Sequence, residues 1–349
     1  MRTVVVGTSN SLVQGGLANG LSDGGLNIVA NGSLPHSQTT ILPFRLADSE
    51  IGGQPFDHLV VEITPDEQLA LRGGLANFAM TRNVLDWMLC WCTNRGIRVT
   101  FVTMPELWSY KQADDLRAFA ARQFVNTYAE DHRVQLFDGY VWLEAWAKGL
   151  GIEPTSCFAT PTNMNVDISY EFGKHIAQSV DDHVALATAA APGLEFEYIP
   201  LATMPSWADA HTRVRSAAAD TVDLLQLERG AQFELLLKRG LLVGTVHNFA
   251  ASTAALRIAG TESRTKRLDG NPRQRLMLTA WSLRTPVPVN GRTLLKALPV
   301  EYRPDLEPNH VTVWRPLNQK AKGVPVVELA GIVMAAYRSR RAARTMDSH

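Results

Sequence analysis

The chain begins with a β-branched run, Thr3 to Val6, that leads straight into Gly7-Thr8-Ser9-Asn10-Ser11. An apolar run without alternation predicts a strand buried on both faces, as in a parallel sheet. The glycine turn directly after it places Ser9 at the carboxyl end of that strand, the edge where open α/β sheets bind ligands. A serine there can act as a nucleophile, provided a base and an oxyanion hole face it. The alternative is a helix N-cap, a role that Ser, Thr and Asn all favour.

Strand and helix signals alternate up to about residue 187. Phe56 to Ile63 is a second buried-strand candidate, Val99 to Val102 a third and Val134 to Phe137 a fourth. Between them, Gln68 to Asn94 and Ala113 to Glu130 carry helical periodicity. This alternation predicts a parallel sheet covered on both sides by helices. Around Ala187 to Gly193 the text changes to Ala-Thr-Ala-Ala-Ala-Pro-Gly, which suggests a boundary between domains at 1–187 and 188–349. The remainder is rich in strand signals: Phe233 to Leu237, Leu241 to Phe249, Ala255 to Ile258, Arg275 to Leu283, His310 to Trp314 and Val324 to Tyr337. Turn signals separate them at Arg239-Gly240, Ala259-Gly260, Asp269 to Pro272 and Asn290-Gly291, the pattern of an all-β sandwich or jelly roll.

Lys plus Arg and Asp plus Glu both total 34, so no global field steers the chain toward nucleic acid. Three cysteines, Cys90, Cys92 and Cys157, do not make a disulfide scaffold, and buried thiols are expected. No run is apolar and long enough for a membrane span, and no charged-then-apolar leader opens the chain, so a cytoplasmic location is expected. No cofactor or metal motif stands out: the glycines from Gly7 to Gly16 lack the Gly-x-Gly-x-x-Gly spacing. In the second half, Trp207, Trp281, Trp314, Tyr302 and Tyr337 read as core aromatics, with a sugar-stacking face as the alternative. Lys238-Arg239 and Arg264 to Arg267 read as solvated turn residues, and Arg338, Arg340, Arg341 and Arg344 as a basic, frayed end.

Several blocks, in order, resemble the SGNH (GDSL-type) hydrolase family. Gly7-Thr8-Ser9-Asn10-Ser11 stands where members carry Gly-Asp-Ser, whose serine is the nucleophile. Leu26 to Ser33 is similar to the second block, whose glycine, here Gly32, lends an N–H to the oxyanion hole. Phe56 to Asp66 is similar to the strand ending in Gly-x-Asn-Asp, but offers Thr64, Pro65 and Asp66. Asp167 to Ala177 occupies the place of the last block, Asp-x-x-His. The resemblance covers roughly the first 180 residues and implies a three-layer, flavodoxin-like α/β domain.

The departures bear on the chemistry. Thr8 replaces an aspartate, and no histidine stands at the expected place in the last block: Tyr170 or Asp167 takes its place, depending on register. A serine hydroxyl needs a neighbouring base, and tyrosine with a pKa near 10 is protonated at neutral pH. His175 or His36 could substitute, whereas His58 and His183 read as structural or exposed.

The resemblance therefore implies a serine esterase or acyltransferase acting on O-acyl groups of a glycan or related small molecule. Ser9 is the nucleophile, and the Ser9 and Gly32 N–H groups are the oxyanion donors. Asp167 with His175 or His36 supplies the base, while Gly7, Thr8, Asn10, Asp66 and Tyr170 line the pocket. Two alternatives stay open. One is a degenerate scaffold that binds a saccharide or partner in polysaccharide biosynthesis. The other is a transferase without a serine nucleophile, using Asp66 or Asp167 as base.

Overall fold

The computed structural model describes residues 1–48, 51–63, 65–74, 76–111, 116–180, 186–189, 192–209, 212–217, 220–268, 276–300, 306–308 and 325–338. Thr64, His183, Asp269 to Pro272, Arg275, Tyr302, the strand expected at His310 to Trp314, Val324 and the basic end beyond Arg338 lie outside the described residues. The chain forms two compact units: Met1–Gly74 with Met88–Ala190, and Leu75–Trp87 with Ala191–His349.

The first unit alternates as its sequence predicts. In chain order its elements are β1 (Arg2–Val6), α1 (Ser9–Leu12), α2 (Leu17–Asp23), β2 (Asn27–Asn31), α3 (Ile41–Ala47), β3 (His58–Ile63) and α4 (Pro65–Arg72). Then follow α5 (Phe78–Thr93), which belongs to this unit from Met88 onward, β4 (Arg98–Thr103), α6 (Leu107–Lys111), α7 (Leu116–Asp131), β5 (Gln135–Asp138) and α8 (Gly139–Leu150). A short hairpin, β6 (Phe158–Thr160) and β7 (Asn163–Met164), leads into α9 (Val166–Ser179). The five main strands are parallel in the order β2-β1-β3-β4-β5. This is the flavodoxin-like order, with its switch point between β1 and β3. The helical stretch expected at Gln68 to Asn94 is two helices, α4 and α5, because Gly73-Gly74 ends the first of them.

One sheet face carries Val5, Val60 and Val102, packed with Leu17 and Leu21 of α2, Leu143 of α8, and Ile168, Phe172 and Ile176 of α9. On the other face Phe101 meets Tyr128 of α7, ring centroids 6.1 Å apart. His58 is structural, as expected: its ring nitrogens lie 3.3 Å from Thr3 Oγ1 and 2.8 Å from Thr100 Oγ1, spanning three strands. Cys92 and Cys157 are buried, Cys90 is half-buried, and all three are free thiols. Among the described residues no helix is long and apolar enough to cross a membrane.

Among the described residues the second unit holds one largely antiparallel sheet of nine strands: β8 (Leu194–Pro200), β9 (Thr212–Ala217), β10 (Asp220–Glu228), β11 (Gln232–Asn248), β12 (Ala255–Ala259), β13 (Ser263–Arg267), β14 (Leu278–Leu298), β15 (Leu306–Glu307) and β16 (Val326–Tyr337). The order is β15-β13-β12-β14-β11-β16-β10-β9, with β8 also on β16. Arg239-Gly240 and Asn290-Gly291, read as turns, instead lie inside the long strands β11 and β14, which pair with each other. A register shift between Leu237 and Gly240 absorbs the break, as a bulge does in a bent strand.

Trp281 is fully buried, 5.5 Å from Phe249, and Trp207 packs half-buried on the same core, whereas Tyr337 is exposed. Lys266 and Arg267, expected in solvent, are buried. Lys266 Nζ lies 3.7 Å from Glu307 Oε2, and burial brings the ammonium down to about 8 against the pull of that carboxylate. Sequence alone could not show this, because the partner Glu307 is distant along the chain.

Helices α2 and α9 meet through glycine on both sides. A Cβ on Gly173 would overlap the Leu17 carbonyl, and one on Gly20 would overlap that of Tyr170. Gly173→Ala is therefore expected to cost about 1–3 kcal/mol of stability, measured by denaturant unfolding, while Gly149→Ala, which meets open space, costs nothing of that kind.

Candidate active site at the carboxyl edge of the first sheet

Glu62 is the penultimate residue of β3, a strand buried along its whole length. A carboxylate in such a place must be satisfied internally, and the turn after β1 does this. Glu62 Oε1 accepts from Thr8 Oγ1 at 2.9 Å and Asn10 Nδ2 at 3.3 Å. Oε2 accepts from the Thr8 N–H at 2.9 Å and Ser11 Oγ at 2.6 Å. Each oxygen thus takes two neutral donors, the capacity of a carboxylate. Gly7 has to be glycine because a Cβ there would overlap Glu62 Oε2. Gly7, Thr8 and Asn10, expected to line a pocket, are buried and serve this clamp instead. Within Gly7–Ser11 only Ser9 is open to solvent.

Ser9 is the first residue of α1, so its N–H has no intrahelical acceptor. Its hydroxyl donates to Asn163 Oδ1 at 2.8 Å. The hairpin that carries Asn163 is tied to the same turn, since Asn10 Nδ2 also reaches the Thr162 carbonyl at 3.4 Å. The Asn163 N–H in turn donates to Thr160 Oγ1 at 3.1 Å. Thr160-Pro161-Thr162-Asn163 therefore occupies the Asp-x-x-His spacing against the serine. An amide oxygen accepts a hydrogen bond but does not take up a proton at neutral pH.

The last block lies elsewhere than expected. Asp167 is exposed in the first turn of α9. The Tyr170 hydroxyl donates to Asp23 Oδ2 at 2.8 Å, at the end of α2, and that bond raises its pKa. His175 is exposed further along α9, its ring 6.2 Å from Phe137 and 6.3 Å from Trp142. None of the three hydrogen-bonds to Ser9, whose hydroxyl is held by Asn163. Gly32 is also reassigned: its N–H donates to the Val5 carbonyl at 2.8 Å, extending the β1–β2 pairing, and is not presented to a ligand.

The loop after β2 reaches the same edge. Leu34 N–H donates to the Gly7 carbonyl at 3.0 Å. Two residues on, His36 Nδ1 lies 3.6 Å from Asp66 Oδ1 in the first turn of α4. Burial alone would lower the His36 pKa, but hydrogen bonding to Asp66 and its charge outweigh burial and raise it. Asp66, expected to line the pocket, thus faces a histidine. Among the described residues no group of three or more His, Cys, Asp or Glu is placed to hold a metal ion.

Two residues escaped the sequence reading. Glu62 was signalled by its charge inside an otherwise apolar strand. Asn163 was signalled only by spacing to a threonine, which one-dimensional text does not single out.

Neither a family model nor a curated protein matches the chain. Solved structures do. A two-domain esterase active on acetylated mannans, co-crystallised with mannopentaose, matches with a TM-score of 0.63 at 8% identity, over 97% of this chain and 92% of that one. A second structure of a two-domain esterase active on acetylated mannans gives 0.59 at 8% over the same shares. The chain shares the fold of a two-domain esterase. That likeness covers both the five-stranded parallel sheet and the β unit.

Glu62→Gln replaces one acceptor oxygen with an amide NH2 that must face two of the four donors. It should cost about 1–3 kcal/mol and lower the labelling of Ser9 by a serine-directed probe. Denaturant unfolding and probe gels on the same preparation check both.

Proposed function

We propose that the chain is an SGNH-type esterase acting on O-acyl groups of a glycan. The observation that carries this reading is Ser9 itself: the one half-exposed residue of a turn whose other residues are buried around Glu62, at the switch-point edge of the sheet. The two-domain esterase fold and that neighbour's activity on acetylated mannans support the substrate class. In this reaction Ser9 Oγ attacks the acyl carbonyl, and the bond from that carbon to the sugar oxygen breaks. The sugar hydroxyl leaves with the serine proton, and water then releases the acid from the acyl-enzyme. If a second sugar hydroxyl replaces that water, the same site is an acyltransferase.

One observation favours a second reading. Ser9 rests on an amide, so the position that the base occupies in this family offers no proton acceptor. A scaffold that holds an acylated saccharide without cleaving it would look like this.

The test is acetate release from acetylated mannan together with labelling by a fluorophosphonate. The esterase reading expects release and labelling by the wild type, both reduced by about 100-fold or more in Ser9→Ala. Release equal to the buffer rate, no labelling, and saccharide binding by calorimetry would establish the second reading.

A further inference from the structure

The surface next to Ser9 is apolar, and local helix geometry turns it toward the serine. The Leu12 N–H donates to the Thr8 carbonyl at 3.1 Å and the Val13 N–H to the Ser9 carbonyl at 3.0 Å, so one helical turn links the three residues. Residues three and four apart share a helix face, with Cβ atoms about 5–6 Å apart. Each side chain also leans back over the turn before its own Cα. Leu12 and Val13 are thus on the face of Ser9, while Asn10 and Ser11 point inward to Glu62. Leu12 is 43% exposed and Val13 39%.

A second apolar group comes from the hairpin side. Asn163, which holds the Ser9 hydroxyl, is followed three residues on by Val166, the first residue of α9 and 38% exposed. Val166 Cγ1 lies 3.5 Å from the point that a Cβ on Gly15 would occupy, so it rests on the chain two residues beyond Val13. The Gly15 N–H is already taken by Asn19 Oδ1 at 2.8 Å. Single exposed apolar residues are ordinary, but a group of them beside a reactive hydroxyl marks a place where a ligand leaves water.

We propose that Leu12, Val13 and Val166 form an acyl-chain subsite, and that the group Ser9 accepts is longer than acetyl, an unbranched chain of about four to six carbons. This rests on the esterase reading above. The occupant follows from continuity with Oγ: in the acyl-enzyme the carbonyl carbon is bonded to Ser9, so the chain attached to it starts beside these side chains. A sugar ring carries hydroxyls that need hydrogen-bond partners, and leucine, valine and glycine side chains supply none. A hydrocarbon needs none and gains by leaving water. An acetyl methyl stops next to Oγ, whereas further methylenes cover the distance to Leu12 and Val13.

The test is kcat/KM of the full chain on p-nitrophenyl acetate, butyrate and hexanoate, each divided by the rate of its hydrolysis by hydroxide. It compares wild type with Leu12→Ser, Val166→Ser, Leu150→Ser and Ser9→Ala. Leu12 and Val166 are exposed, so both serine variants should fold, and circular dichroism with thermal unfolding checks this. A buried methylene is worth up to about fourfold, so the wild-type hexanoate-to-acetate ratio should be about tenfold or more. Leu12→Ser and Val166→Ser should each lower that ratio by about twofold to fourfold. Leu150→Ser removes an exposed apolar side chain at the other end of α8 and should leave the ratio as in the wild type.

Hydrolysis that depends on Ser9, with a ratio near one or with a ratio that neither serine variant lowers, overturns the acyl-chain subsite and leaves the esterase reading standing. No Ser9-dependent hydrolysis of any of the three esters overturns both.

Discussion

Glu62 sits on a strand with no exposed residue, and its two oxygens are filled by four donors from a single five-residue turn. Each such bond to a carboxylate is worth about 1.5–3 kcal/mol, and the desolvation cost of leaving one unmade is of similar size. The turn after β1 is therefore not free to choose its conformation. Gly7 is fixed by the close approach of the carboxylate, Thr8 and Ser11 by their hydroxyls, and Asn10 by its amide. Ser9 is left over, and it projects from the edge because every neighbour is held inward.

This clamp also explains why residues matching the first motif turn out to be structural. In the sequence, Gly7, Thr8 and Asn10 look like parts of a pocket because they flank a serine. In three dimensions they belong to the interior of β3. Residues from other segments stand at that edge: Asn163, which holds the Ser9 hydroxyl, and His36 of the loop after β2, which faces Asp66 of α4. The last block divides similarly. Its glycine, Gly173, is needed where α9 crosses α2, whereas Asp167, Tyr170 and His175 face solvent or other helices.

In the β unit the same principle produced surprises of the opposite kind. Lys266 and Arg267 look like solvated charges in a turn-rich text. Lys266 is buried because Glu307, far along the chain, lies opposite it and also accepts the N–H groups of Arg284 and Thr285 at 3.0 and 3.2 Å. Arg239-Gly240 and Asn290-Gly291 look like hairpin turns. The strands that carry them are long enough to bend instead, because each keeps its partner on both sides of the irregularity.

By itself the sequence determined the parallel sheet of the first unit, its crossover helices, the strand-rich second half and the position of Ser9. Those depend on local periodicity, β-branched runs and glycine placement, which act over a few residues. Only the tertiary structure decided which polar groups meet: Glu62 with the β1 turn, Ser9 with Asn163, His36 with Asp66. Such pairs are selected by the cost of burying an unsatisfied polar group, and that cost is set by neighbours brought together across strands rather than by neighbours in the chain.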